Sequence, residues 1–191
     1  MPAEIYVEPN DRYEIIEGVK YMAAAAAIEH NFVIGNLVQA FNHYFRKNKN
    51  GVAVQDIDVH LPDGNVFRPD VSVIDDLTAL SSDENFNGAP ALVVEVLSRS
   101  TVKNDLGRKK RLYAANGVEE YWIVDRWTKR IEVYHLLDGH YELDEVYQIY
   151  SDAEFDALTD DERAAVKFEI AVERFDGLSV DIRQIFNTWW N

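Results

Sequence analysis

The chain has 191 residues, of which 47% are hydrophobic and 12% aromatic, and its formal net charge is −15 at pH 7. So much apolar surface excludes a disordered chain, and the lack of cysteine excludes disulfides and thiolate metal sites. The negative charge by itself opposes binding to nucleic acid, because phosphates attract clustered Lys and Arg.

Domain organisation and location follow from the same data. The length fits one domain over residues 1–191, with a core at about 11–150 and a C-terminal extension, 151–191, packed on it. No stretch reaches the ~18 apolar residues that a membrane span needs, and the N-terminus has no signal-peptide core. We therefore expect a cytoplasmic protein that does not bind membranes.

The first elements in chain order are a hairpin and a long helix. Two short apolar runs flank Glu17-Gly18, which predicts a two-residue turn with Gly at positive φ. From about Ala24 to Lys47, apolar side chains recur at helical spacing and predict an amphipathic helix. Asn50-Gly51 predicts its end.

Two strands and a long loop come next. Alternating apolar residues over 57–61 predict a strand, and the turn sequence at 62–65 predicts that the next strand, 66–74, returns antiparallel to it. Residues 76–90 form a polar loop. A loop of this length beside a candidate site is more often functional than idle.

A strand, helix, strand unit follows the loop. Leu92 to Leu97 is an apolar run that predicts a strand covered on both faces, and 121–124 predicts another strand. The helix between them is predicted over 101–116, and its expected apolar stripe consists of Leu106, Tyr113 and Ala114. A right-handed crossover makes the two strands parallel.

The remaining pattern completes an α/β fold. Residues 130–137 and 141–150 predict an antiparallel hairpin around Asp138-Gly139. Beyond it, short helices are predicted near 158–163 and at the end of 175–186. The expected architecture is a mixed β-sheet core flanked by helices.

Two acids lie where an ionised side chain is costly. Asp70 opens the apolar alternation that follows it, and Glu95 lies inside the buried run. A carboxylate in such a place must be paired, hydrogen-bonded or bound to a cation. Mg²⁺ is typically held by one or two carboxylates with waters and phosphates, and Lys109 or Lys110 follows one crossover later. The set predicts a metal-dependent site that hydrolyses phosphodiesters.

The residues from Glu95 onward form a long motif, EVLSRSTVKNDLGRKKRLYAANGVEEYWIVD, and Pro69-Asp70 precedes it. The motif resembles the Uma-two family of restriction endonucleases, within the PD-(D/E)XK nuclease superfamily. More loosely, the similarity extends from the first hairpin to about residue 150. The resemblance implies a restriction-endonuclease-like fold, DNA as the partner, and Mg²⁺ or Mn²⁺ held by Asp70 and Glu95.

The resemblance also implies which other residues belong to the site. The superfamily places a Lys two residues after the second acid, where this chain has Leu97, and the family pattern has a Lys on the following helix, where this chain has Lys109. Superfamily members often add an acid or polar side chain from the first helix. The further candidates are Glu29, His30, Lys110 and Tyr113, followed by Gln55 and Asp56.

Each assignment has a structural alternative. Asp70 can cap a strand or pair with Arg68, and Lys109 can belong to a solvated helix face. Tyr113 fits the core better than the chemistry, and His30 fits a structural role slightly better than a ligand.

The function has alternatives too. A catalytically degenerate nuclease fold would only bind nucleic acid, an acidic protein-interaction module would not bind it at all, and a hydrolase of another phosphoester would use the same residues. Restriction-type nucleases often pair two copies, so we expect a homodimer, with Trp189 and Trp190 as candidate contacts.

Overall fold

The computed structural model describes residues 13–22, 27–80 and 85–188, which form three sheets flanked by helices. The strands are β1 (Tyr13–Ile16), β2 (Val19–Met22), β3 (Val52–Val54), β4 (Asp58–His60), β5 (Val66–Phe67), β6 (Val71–Ile74), β7 (Asn85–Asn87), β8 (Leu92–Val96), β9 (Glu120–Asp125), β10 (Arg130–Leu137), β11 (His140–Gln148), β12 (Glu169–Ala171) and β13 (Ser179–Asp181). The helices are α1 (Ile28–Asn48), α2 (Lys110–Ala115), α3 (Asp152–Ala157), α4 (Asp160–Ala165) and α5 (Ile182–Ile185), with a 3-10 turn at Leu77–Ala79 and a π-helical turn at Asn104–Lys109.

A six-stranded sheet in the order β11-β10-β9-β8-β6-β3 forms the centre of the molecule. β8 and β9 are parallel, with Val94 opposite Trp122, and the other neighbouring pairs in this sheet are antiparallel. A second sheet has the order β2-β1-β5-β4-β7, and β12 pairs with β13 in a third. The predicted α/β fold, with its mixed sheet and its parallel step, is confirmed.

Apolar side chains cover both faces of the central sheet. Val94 and Val96 of β8 join a core with α1 and the C-terminal segment, whereas Val93 and Leu97 join a second core with α2 and the five-stranded sheet. Because side chains of a strand alternate between faces, Glu95 points to the same side as Val93 and Leu97. The helix that follows β8 packs on this side.

The prediction of a single strand over 66–74 is wrong. β5 pairs with β1 and, antiparallel as expected, with β4, but β6 pairs with β3 and β8 in the central sheet. Pro69 lies at the break, because proline donates no N–H and cannot continue a ladder. The chain therefore crosses from one sheet to the other just before Asp70.

The predicted 76–90 loop is partly regular. It contains the 3-10 turn and β7, which runs parallel to β4. Residues 81–84 lie outside the described residues. β7 thus extends the second sheet.

The helix after β8 opens with the π-helical turn and continues as α2. The prediction that Leu106 lies in an apolar stripe is wrong, because this side chain is 48% exposed. Asp105, Lys109 and Tyr113, four residues apart, occupy the buried face instead. Wide turns of this kind occur frequently at functional sites.

The C-terminal segment packs against α1. Ile170 of β12, Val180 of β13 and Ile182 of α5 are buried in the same core as Leu37 and Phe41 of α1. The predicted short helices correspond to α4 and α5. Neither α3 nor the β12-β13 hairpin was predicted; the two strands of the hairpin have three residues each and carry too little alternation to be recognised.

Two expectations fall on residues beyond these ranges. The start of the first helix at Ala24 and the contacts of Trp189 and Trp190 lie outside the described residues; α1 as described begins at Ile28 and ends at Asn48. Within residues 13–22, 27–80 and 85–188, no helix combines the length and the apolar character that crossing a membrane requires.

Candidate active site

The register of the central sheet brings the two predicted acids together. Val71 of β6 pairs with Val94 of β8, so Asp70, one residue before β6, falls across from Glu95. Asp70 Oδ2 accepts the main-chain N–H of Val96 at 2.7 Å, which fixes the carboxylate against β8. Asp70 Oδ1 lies 3.1 Å from Nε2 of His30, from the first turn of α1.

Glu95 is a buried carboxylate with two donors on one oxygen. The residue is 3% exposed, and its Oε1 accepts hydrogen bonds from Lys109 Nζ at 3.1 Å and from the Tyr113 hydroxyl at 3.0 Å. Burial raises the pKa of Glu95 well above its usual range, Lys109 lowers it, and the negative charges of Asp105 and Asp70 raise it further. On balance the pKa of Glu95 stays raised, because the effect of burial outweighs that of Lys109.

Lys109 is the centre of an ion cluster. Its Nζ lies 2.7 Å from Glu14 Oε1, 3.1 Å from Glu95 Oε1 and 3.6 Å from Asp105 Oδ1, and the residue is 3% exposed. Burial lowers the pKa of Lys109, but the carboxylates of Glu95, Glu14 and Asp105 outweigh it and hold that pKa well above its usual value. Lys109 stays protonated at neutral pH, so it can supply positive charge but cannot accept a proton.

Two members of this cluster, Glu14 and Asp105, were not predicted from the sequence. Asp105 is 1% exposed, and its Oδ1 has no hydrogen-bond partner among the residues that the structure describes. Its spacing from Lys109 and Tyr113 on one helix face was a readable signal. No sequence signal pointed to Glu14, because β1 contacts Lys109 only when the two sheets pack together.

The structure separates the remaining candidates. Glu29 lies outside the acid pair: its Oε2 accepts from Arg126 NH1 at 2.8 Å, and the side chain is 57% exposed. Lys110 also points away, since its Nζ lies 3.2 Å from the ring centre of Tyr134. Burial lowers the pKa of Lys110, and Glu132 raises it.

A cleft of about 1020 Å³ opens above the acids. Asp70, Glu95 and Lys109 line it, together with His30. The two candidates that lie after the first helix, Gln55 and Asp56, line it as well. The other polar and aromatic residues that line it are Tyr13, Glu14, Tyr21, Asn31, Arg68, Ser98, Arg99, Ser100, Thr101, Asn104 and Arg126. The cleft therefore combines an acidic floor with arginines, which suits a phosphate-containing ligand that reaches a cation.

The donor set at the floor fits a hard divalent cation. Asp70 and Glu95 offer carboxylate oxygens, and a bound cation would favour the charged form of Glu95, whose pKa is raised first by burial and then by the neighbouring carboxylates. No group of three or more His, Asp or Glu side chains with metal-binding geometry occurs in residues 13–22, 27–80 and 85–188. Two carboxylates completed by water and phosphate are a usual arrangement for Mg²⁺, and the pair Asp70 and Glu95 is compatible with that donor set.

Comparison with known proteins identifies the family. The Uma2 family model, described as "Putative restriction endonuclease", matches residues 2–173. The chain belongs to the Uma2 family. The match runs past residue 150 to residue 173, so it includes β12 but not β13 and α5.

Two further proteins are similar to this chain, one in sequence and one in structure. An uncharacterized protein of Synechocystis sp. is 31% identical over 131 residues, which is 68% of each chain. A crystal structure of a "putative nuclease belonging to DUF820" from Anabaena variabilis superposes with a TM-score of 0.70 at 18% identity, covering 95% of this chain and 93% of that one. At this identity the likeness establishes a shared fold, which confirms the predicted fold class.

Proposed function

We propose that this Uma2 protein is a metal-dependent endonuclease that hydrolyses phosphodiester bonds in DNA, with Mg²⁺ or Mn²⁺ as cofactor. The observation that carries the proposal is the meeting of Asp70, Glu95 and Lys109 at the floor of one cleft. The two acids come from adjacent strands and the amine from the following helix. Membership of a restriction-endonuclease family supports nucleic acid as the substrate.

In this proposal each side chain has a defined role. Asp70 and Glu95 hold the metal ion, which, when bound, polarises a phosphoryl oxygen and lowers the pKa of a water ligand. The main-chain N–H of Val96 fixes Asp70, and the Tyr113 hydroxyl fixes Glu95. Protonated Lys109 supplies positive charge where negative charge develops on the phosphate.

The position of Lys109 bears on the rival of a catalytically degenerate fold. Leu97, which replaces the usual strand Lys, is 7% exposed and belongs to the same buried core as Tyr113. Lys109 reaches the Glu95 carboxylate from the helix and places an ammonium group 3.1 Å from it. This contact favours a relocated Lys over a lost one.

Cleavage of plasmid DNA and of oligonucleotides, first with Mg²⁺ and then with Mn²⁺, tests the proposal. We expect metal-dependent cutting by the wild type, and its loss in Asp70→Asn and in Lys109→Ala. Lys110→Ala is the matched control, because the neighbouring amine points toward Tyr134 and should leave cutting intact. Nucleic-acid binding without cleavage in either metal would favour the degenerate fold, and neither binding nor cleavage would favour a protein-interaction module.

The expectations of a homodimer and of a cytoplasmic location stay predictions. Light scattering on the purified full chain measures the first, and cell fractionation measures the second. A monomer at working concentration would require the chain to cut one strand at a time or to pair on the substrate.

A further inference from the structure

The turn between β9 and β10 presents an exposed tryptophan on a fixed support. Trp127 is 45% exposed, and the guanidinium carbon of Arg126 lies 4.4 Å from its ring centre. Arg126 is itself held, because its NH1 donates to Glu29 Oε2 at 2.8 Å and its side chain is only 14% exposed. One face of the indole thus rests on a half-buried cation, and the exposed part of the ring is open to a ligand.

The turn itself is also ordered by hydrogen bonds. Asp125 Oδ1 accepts the main-chain N–H of Trp127 at 2.9 Å and that of Thr128 at 3.4 Å. The Trp127 ring is supported by Arg126 on one face, and its main chain is held by Asp125. It therefore loses little conformational freedom when a ligand stacks on it. Such pre-organisation favours binding because less entropy is lost.

Trp127 follows directly after Arg126, one of the residues that line the cleft above the acids. Val124 of β9 pairs with Val96 of β8, one residue after Glu95. Neighbouring strands are ~4.8 Å apart, and the three residues from Val124 to Trp127 span at most ~11 Å. The indole therefore lies within the length of a few nucleotides from the carboxylates.

We infer that Trp127 is a stacking platform for an unpaired nucleobase of the nucleic acid whose phosphodiester lies at Asp70 and Glu95. The inference rests on the proposed function and adds the substrate class, namely single-stranded or locally unpaired nucleic acid. A base inside a duplex already stacks on its neighbours, whereas an unpaired base offers a free π-face to an aromatic ring. The supporting Arg126, which lines the cleft, adds positive charge beside the phosphate backbone.

The net negative charge of the chain makes an uncharged contact such as stacking important for affinity. At −15, long-range electrostatics oppose the approach of a polyanion, so affinity must come from local contacts. Stacking is such a contact, since it involves no net charge and accepts any base. It would retain the substrate while the arginines of the cleft hold its phosphates.

The test measures binding by fluorescence anisotropy, with the full chain, no divalent metal and a fixed ionic strength. The probes are a labelled short single strand, the same strand with abasic sites in place of its central bases, and the corresponding duplex. The variants are Trp127→Ala and Trp127→Phe. The matched control is Leu137→Ala, since Leu137 is 51% exposed at the opposite end of β10.

We expect Trp127→Ala to weaken binding of the intact single strand by about 5- to 100-fold, and Trp127→Phe to restore most of it. Binding of the abasic strand should change little, and the dependence of affinity on salt should stay the same because no phosphate contact is removed. Leu137→Ala should bind like the wild type.

Several results would overturn the inference. These are unchanged binding in Trp127→Ala, an equal loss for the abasic strand, no binding of any strand by the wild type, or a loss that follows a change in oligomeric state measured by light scattering. The nuclease proposal fails separately: Trp127-dependent binding without metal-dependent cleavage would leave the platform and remove the enzyme. Metal-dependent cleavage with no effect of Trp127→Ala on binding would support the enzyme and rule out the platform.

Discussion

The ammonium group of Lys109 lies 2.7 Å from Glu14 Oε1, closer than it lies to Glu95 Oε1 at 3.1 Å. Glu14 Oε1 also accepts the main-chain N–H of Arg68 at 3.0 Å, at the crossing between the two sheets that leads to Asp70. One residue of the first hairpin thus holds both the amine of the site and the segment that presents its first acid. The hairpin is part of the site and not a peripheral element.

Glu14→Gln should weaken both stability and activity. The amide keeps the shape and an acceptor oxygen but removes a charge next to a buried cation, so we expect the free energy of unfolding to fall by about 1–3 kcal/mol. Urea unfolding measures this, and DNA cleavage should fall with it because Lys109 loses its nearest partner. Glu17→Gln on the same hairpin is the control. Its carboxylate pairs with Arg108 and Arg111 near the surface, and its loss should change stability by less than about 0.5 kcal/mol. Equal effects of the two substitutions would contradict the assigned role.

Asp70→Asn should abolish stabilisation by divalent metal. A ligand that binds only the folded state stabilises it by about 2.7 kcal/mol at a concentration of 100 times its Kd, which raises Tm. Thermal unfolding with and without Mn²⁺ measures the shift without any need for DNA or turnover. Asp75→Asn is the control, because Asp75 pairs with Arg174 at 2.7 Å and does not line the cleft. A metal-dependent rise in Tm that survives Asp70→Asn would place the metal elsewhere.

The sequence was sufficient for the parts of the site that follow from local pattern. Glu95 stood out because an acid in an apolar strand is costly, and Asp70 because it opens one. The parallel pairing of β8 and β9 followed from the strand, helix, strand order. Glu14 and the crossing at Pro69 could not be predicted, because each depends on how two sheets pack. The prediction that Leu106 is buried was wrong because a π-helical turn changes which residues face inward. The spacing of apolar residues in the sequence does not reveal such a turn.

Tyr113→Phe should move the pH dependence of cleavage. The hydroxyl donates to Glu95 Oε1 at 3.0 Å, and a donor to a carboxylate favours its charged form. Removing the donor raises the pKa of Glu95 further, so the acidic limb of the pH–rate profile should shift to higher pH. Tyr121→Phe is the control: Tyr121 is an equally buried tyrosine whose hydroxyl donates to the main-chain carbonyl of Asp105 at 3.1 Å. Tyr121→Phe should lower the free energy of unfolding by a similar amount and leave the acidic limb of the pH–rate profile unchanged. A shared shift, or none, would argue against Glu95 as the titrating group.

Glu120→Gln should make the protein more stable at high pH than the wild type. Burial raises the pKa of Glu120 from its usual 4.5 to about 7, although hydrogen bonds from the indole of Trp122 and the main chain of Glu173 act in the opposite direction. Between these two pH values the folded state binds a proton that the unfolded state has released. The free energy of unfolding of the wild type therefore falls as pH rises from about 4.5 to about 7, and levels off above.

The free energy of unfolding that the wild type loses through Glu120 is up to about 3 kcal/mol. Gln cannot ionise and so avoids this loss, while it keeps an oxygen that accepts the Trp122 N–H. Urea unfolding at pH 5 and at pH 8 measures the difference, which should be small at pH 5 and large at pH 8. Glu119→Gln is the control, since the neighbouring carboxylate is 56% exposed and pairs with Arg174. Because Glu120 lies at the opposite end of β9 from the cleft, its substitution should also leave cleavage unchanged at a pH where both proteins are folded. A Glu120→Gln protein that is less stable than the wild type at pH 8 would show that the carboxylate is ionised and held by its donors.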